Sequence, residues 1–187
     1  ASTDHGVQLM LLESPLVEPG SMIDERQTIN QSHKEWKKQG QPASTWFSYA
    51  MNNYWHTNYK AGQTGIAQFR YALRPHQSND AVALEQAAMD FTQPLIAVTL
   101  NDSIPVHESL FELSDTGILV TSITPNENNS YLIRLFNPSA TQKQTAINWK
   151  YLQPKSVMLV QNGAVLNTGD AIAIPGKGVV ELFILTQ

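Results

Sequence analysis

The sequence contains no cysteine, which excludes disulfide staples, thiolate nucleophiles and cysteine-ligated zinc. Charge is scarce as well: Asp, Glu, Lys and Arg make up 15% of 187 residues, with a net charge of -4. A chain with so little positive charge offers no field to hold nucleic acid or an anionic membrane surface, so neither partner is expected. No apolar run approaches the roughly 20 residues that cross a bilayer, and the first residues lack the charged and apolar regions of a secretory leader. The chain reads as soluble, with its compartment left open. Nucleophile-elbow, dinucleotide-binding and P-loop patterns are all missing. His5, His33, His56, His76 and His107 are scattered over separate segments rather than set at metal-ligand spacing, so no cofactor is assigned to this chain.

What is present is apolar residue enough for a core, at 42% of the chain, arranged mostly in short runs. Val7 to Leu12 is a continuous apolar run that ends at Ser14-Pro15 and predicts a strand buried on both faces. Gly20 to Gln41 is a polar excursion. Thr45 to Met51 and Ile66 to Leu73 alternate apolar and polar residues and predict two further strands. Asn79 to Phe91 places Ala81, Leu84, Ala87, Ala88 and Phe91 at helical spacing behind a capping Asn79 or Asp80, and Pro94 stops this one helix. Leu95 to Leu100 then reads as another strand.

A turn-rich stretch from Asn101 to Val106 predicts a boundary, giving units 1–105 and 106–187. After it come Leu110–Leu113, Ile118–Ile123, Tyr131–Asn137, Thr145–Trp149, Val157–Val160, Ala171–Ile174 and Val179–Leu185, each bounded by Gly, Pro, Asn or Asp. Strands at this spacing with no helical pattern between them predict a mainly β, antiparallel sandwich. Asn162-Gly163 is a hairpin turn, because both residues tolerate positive φ.

The densest chemistry lies in Asn52, Asn53, Tyr54, Trp55, His56, Asn58 and Tyr59, between the two alternating strands. Rings with apolar faces beside amides that both donate and accept suit a surface that stacks on sugar rings and bonds their hydroxyls. The same rings equally suit ordinary packing at a strand end. A glycosidase needs two carboxylates across the scissile bond, but Asp24, Glu25, Asp90, Glu108 and Glu112 fall in polar loops, on the helix or at strand edges, where a solvated carboxylate is the default.

The run resembles a segment in the C-terminal β region of bacterial glycoside hydrolase family 38 α-mannosidases, where a strand leads into Asn-Asn-Tyr-Trp-x-Thr-Asn-Tyr. That family's following Gly and Phe-Arg-Tyr are matched by Gly65 and Phe69-Arg70-Tyr71. Ser14-Pro15-Leu16-Val17 with Gly20, and Tyr131-Leu132-Ile133-Arg134-Leu135-Phe136-Asn137, match in the same order. The resemblance implies the end of a supersandwich-like region with one helix, followed by a smaller C-terminal β-sandwich. It implies a retaining, zinc-dependent parent enzyme whose nucleophile and zinc ligands lie in an N-terminal catalytic domain that nothing here matches. Partners would then be that domain and a mannose-containing glycan. Asn52, Asn53, Tyr54, Trp55, His56, Asn58 and Tyr59 would form the substrate rim or the domain interface, with no catalytic residue and no metal in this chain. Arg70 and Arg134, in alternating strands, are expected to pair with carboxylates or carbonyls as structural residues. A free-standing carbohydrate-binding β-sandwich and a purely structural or interaction domain are the alternatives.

Overall fold

The computed structural model describes residues 5–20, 45–51, 62, 64–97, 99 and 109–186. Two units emerge from its contacts, Val7–His76 and Gln77–Gln187 together with Ala1–Gly6. The boundary expected near Ile104 lies outside the described residues. The chain is mainly β and antiparallel, sandwich-like and without a closed barrel among the described residues. No helix among them is long and apolar enough to cross a membrane.

In the first unit β1 (Gly6–Leu11) pairs with β4 (Tyr71–His76), and β2 (Val17–Pro19) pairs with β3 (Trp46–Ser48). The apolar run at Val7 does form a strand, but burial on both faces is a misreading. Val7 is 62% exposed, since a strand in a two-stranded sheet has too few neighbours to cover both sides.

The second unit opens with α1 (Ala81–Thr92). Asp80 caps it as expected: its Oδ1 accepts from the backbone N–H of Val82 at 2.9 Å and of Ala83 at 3.3 Å. The strand expected over Leu95 to Leu100 is absent where the chain is described. Leu95 and Ile96 stand exposed and outside any ladder, because a short apolar run becomes a strand only when a partner edge is there to pair it.

The remaining strands are β5 (Phe111–Leu113), β6 (Leu119–Asn126), β7 (Ser130–Phe136), β8 (Lys143–Thr145), β9 (Ile147–Trp149), β10 (Pro154–Leu159), β11 (Val165–Leu166), β12 (Ile172–Ile174) and β13 (Val179–Thr186). One layer runs β11-β10-β13-β7-β6, all neighbours antiparallel, with β13 in the middle. Asn128 and Asn129, at φ 57° and 53°, turn β6 into β7. Asparagine tolerates that left-handed backbone better than other side-chain-bearing residues.

The facing layer is built on one stretch of chain, 143–149. Its first half, β8, pairs with β12 and its second half, β9, pairs with β5. The partner changes at Ala146, whose N–H donates to Ser114 Oγ at 2.9 Å while its carbonyl accepts from Ser114 N at 3.0 Å. The single strand expected over Thr145–Trp149 is therefore two.

Alternate residues of β7 and β13 face inward: Ile133, Leu135, Leu182 and Ile184 are all fully buried. They meet Phe111, Ile147, Ile172 and Ile174 of the facing layer in one cluster, with Phe111 edge-on to Trp149 at 5.5 Å. On the outer face Arg134 and Glu181 stand opposite each other in register and pair at 2.5 Å, so Arg134 takes the structural role its strand position implied.

Asn137, at the end of β7, is fully buried and joins the layers. Its Nδ2 donates to the carbonyls of Thr141, Ile174 and Pro175, and its Oδ1 accepts from Ser139 N and Ser139 Oγ. Beside this joint Gly176 passes so close to the 140–141 backbone that a Cβ would sit 2.1 Å from the Ala140 carbonyl oxygen. Only glycine fits there.

Candidate functional site

Asn52, Asn53, Tyr54, Trp55, His56, Asn58 and Tyr59 lie outside the described residues. The frame that delivers the chain to them is described, and it is built on β2 and β3. These pair through Val17 with Ser48, Glu18 with Phe47 and Pro19 with Trp46. Gly20 N donates to Thr45 O at 2.8 Å and Tyr49 N to Leu16 O at 3.0 Å, closing the ladder at both ends. Trp46, Phe47 and Tyr49 leave about half their surface exposed, at 56%, 53% and 57%.

A line of hydroxyls holds the strand where it approaches residue 52. Ser14 is 3% exposed, and its Oγ donates to the Tyr49 carbonyl at 2.8 Å. That proton being used, the 3.0 Å contact between Ser14 Oγ and Ser48 Oγ has Ser48 donating. Ser48 in turn accepts from the Tyr71 phenol at 3.0 Å. One direction of donation therefore runs from Tyr71 through Ser48 and Ser14 to the backbone of Tyr49. It ties the Ser14–Val17 segment and the Phe69-Arg70-Tyr71 segment to β3, three stretches far apart in sequence.

A second tie lies alongside. Glu13 grips Arg70 through Oε1 on Nε at 2.6 Å and on Nη2 at 2.5 Å, and through Oε2 on the Arg70 backbone N–H at 2.7 Å. Arg70 thus has the carboxylate partner expected of it. The side-chain hydrogen bond from Arg70 foremost, helped by its backbone N–H and its charge and opposed by modest desolvation, holds the Glu13 carboxyl below its usual range.

Two predictions test this frame. Ser48→Ala and Tyr71→Phe are each expected to cost about 0.5–1.5 kcal/mol, the net value of a hydrogen bond, and to be non-additive because they share one chain of donors. A double-mutant cycle of thermal melts reads the coupling; strict additivity would mean the hydroxyls are not linked. The carboxylate's depressed pKa means that the Glu13–Arg70 tie contributes fully above the unfolded-chain pKa, about 4.3, and is lost as pH falls through the lower folded value. The difference in melting temperature between the parent chain and Glu13→Gln is expected at neutral pH and should vanish in acid.

The other carboxylates considered are structural where they are described. Asp90 accepts from Gln86 Nε2 at 3.1 Å on α1, and Glu112 pairs with Lys150 at 3.2 Å at a sheet edge. Asp24, Glu25 and Glu108 lie outside the described residues, as do His33 and His107. Among the described residues no three His, Asp or Glu side chains gather to hold a metal ion. Of the Tyr131–Asn137 segment, all but Asn137 lies in β7 of the other unit, where Ile133 and Leu135 supply core.

In that second unit a half-open depression of about 220 Å³, open solvent included, is lined by Trp149, Val157, Leu166, Asn167, Asp170 and Ile172, among others. Ser14, Ser130, Asn137 and Thr145 are the buried polar residues among those described, and none of them stands out as a polar joint in sequence. Ser14 and Asn137 both stand directly before a proline, the first as punctuation after an apolar run and the second as the last residue of an expected strand.

No protein-family model matches the chain, and no curated protein matches it. Among solved structures the chain is similar in part to the apo exo-carrageenase GH42 from Bacteroides ovatus, with a TM-score of 0.32 and 14% identity, over 42% of this chain and 11% of that one. The overlap is a short stretch of a much longer protein.

Proposed function

We propose that the chain is the C-terminal β-rich portion of a family 38-like, retaining α-mannosidase, where it scaffolds the active site of a separate N-terminal domain and lends it a rim. The observation that carries this reading is the clamped strand end. Half-exposed Trp46, Phe47 and Tyr49 lead directly into the Asn- and aromatic-rich run, and the ties that hold them come from Ser14 and Tyr71, in two further segments of the same family pattern. Rings and amides of this kind position a sugar by stacking and hydroxyl contacts. The retaining carboxylate pair and the zinc belong to the proposed partner domain. Its substrate would be a mannose-containing glycan.

The experiment compares two settings for the same changes. In the full-length enzyme Trp55→Ala and Asn53→Ala are expected to lower kcat/KM, while in this chain they leave the melting temperature nearly unchanged. If the run is core instead, Trp55→Ala should cost about 3–5 kcal/mol of stability and leave the kinetics of the surviving folded enzyme intact. The chain alone is expected to leave an aryl α-mannoside unhydrolysed, with or without zinc. The exposed rings of β3 also favour a second reading, a free-standing carbohydrate-binding module. Calorimetric binding of mannan by the isolated chain, lost in Trp46→Ala, would select it.

A further inference from the structure

The turn between β10 and β11 carries the chain's sole Asn-Gly pair, Asn162-Gly163. Residues 161–165 are exposed, Gly163 sits at φ 71°, and a Cβ placed on it would meet nothing within 4 Å. The Gly163 backbone nitrogen therefore carries no side chain of its own to crowd an approach, and no residue remote in sequence packs beside its Cα. We propose that this turn is a self-modification site: Asn162 converts to isoaspartate through its own backbone, and the conversion releases β11 from the sheet.

The chemistry needs only water. The Gly163 amide nitrogen, on losing its proton, attacks the Asn162 side-chain carbonyl carbon. A C–N bond forms, the bond from that carbon to the side-chain nitrogen breaks, and ammonia leaves, closing a five-membered succinimide. Water then opens either carbonyl of the ring, giving aspartate or, when the backbone carbonyl is attacked, isoaspartate.

Three bonds must open first. Asn162 Oδ1 accepts from Ala164 N at 3.0 Å, Gly163 N donates to Leu159 O at 2.8 Å, and Leu159 N donates to Ala164 O at 2.8 Å. Their hold is weak because β11 is the two-residue edge strand Val165–Leu166, paired to β10 alone, and short exposed edges open at low free-energy cost. Each of the other described asparagines precedes a residue with a side chain, which crowds the attacking nitrogen, and three are worse placed still. Asn137 is buried and precedes Pro138, which has no N–H to become a nucleophile. Asn148 lies inside β9, and Asn167 precedes the β-branched Thr168.

Isoaspartate routes the main chain through the side-chain carbon and so lengthens it at residue 162. The register Met158 to Val165 and Val157 to Leu166 cannot survive that insertion without a shift. Leu166 then leaves the depression that it lines with Trp149 and Ile172.

The test holds the intact chain in mildly alkaline buffer and follows the tryptic peptide Ser156–Lys177 by fragmentation mass spectrometry, then compares hydrogen exchange before and after conversion. The amide-to-carboxyl mass gain is expected at Asn162 ahead of every other asparagine, faster at higher pH, and absent in a folded Asn162→Gln chain. Val165 and Leu166 amides should lose protection while β7 and β13 keep theirs. Conversion only after denaturation, earlier conversion elsewhere, or unchanged β11 protection in the isoaspartate form would each overturn the proposal.

Discussion

Replacing Asn137 with leucine, which keeps the same branching and number of heavy atoms, is expected to cost roughly 3 kcal/mol or more, since each buried polar group left without a partner costs about 1–3 kcal/mol. The side chain is fully buried and saturates both ends of its amide. Nδ2 reaches Thr141 O at 2.8 Å, Ile174 O at 3.0 Å and Pro175 O at 3.1 Å, while Oδ1 receives Ser139 N at 3.0 Å and Ser139 Oγ at 2.6 Å. Leucine leaves the Ile174 carbonyl facing hydrocarbon and cuts the 139–141 turn loose from the end of β12. For a domain of about 100 residues the melting temperature should fall by at least 12–24 °C. Asn137→Asp makes a sharper test. Its carboxylate would oppose three carbonyl oxygens, so the loss at neutral pH should match or exceed that of leucine, and it should shrink in acid, where protonation restores one donor. A loss that ignores pH would show that the site has rearranged around the new side chain.

Leu182→Ala is the second large effect expected, at about 2–5 kcal/mol for a buried leucine truncated in a packed core. Leu182 is fully buried in the central strand, so no neighbour can close over the gap without moving two sheets' worth of side chains. The contrast within one strand is the control. Glu181, one residue away on the outer face, holds Arg134 at 2.5 Å with the arginine side chain 49% exposed, and Glu181→Ala should cost no more than about 1 kcal/mol. Urea unfolding of the two variants reads the difference; equal losses would mean that the sandwich has no distinct inside.

The strands of the second unit were legible because each is a short apolar alternation closed by Gly, Pro, Asn or Asp. Ile133 and Leu135, or Leu182 and Ile184, announce an inward face by spacing alone. The helix was legible for the same kind of reason, its apolar residues recurring at 3.6 and its Asp80 standing where a cap belongs. Pairing is a different matter. Nothing in Lys143 to Trp149 marks Ala146 as the place where one partner strand gives way to another, because partner exchange leaves no periodicity behind. Leu95 and Ile96 look like strand and are not, for want of an edge to join. At the candidate site the rings and amides drew notice by type, whereas the serine and tyrosine hydroxyls that hold Tyr49 did not. A hydroxyl reads the same in sequence whether it faces water or a buried carbonyl, and only distance separates the two.

The place of β13 at the middle of its sheet bears on how the chain is made. Its two neighbours, β7 and β10, both precede it in sequence, and neither pairs with the other. A ribosome therefore releases two hairpins, β6–β7 and β10–β11, well before the strand that unites them emerges. Local hairpins form early, while the long-range ladder from Val179–Leu185 back to Ser130–Phe136 must wait for β13 to be synthesised. Until then the apolar sides of β7 and β10 have no common neighbour, which makes the interval before Val179 leaves the exit tunnel the time when this domain is most open to mispairing and to chaperones.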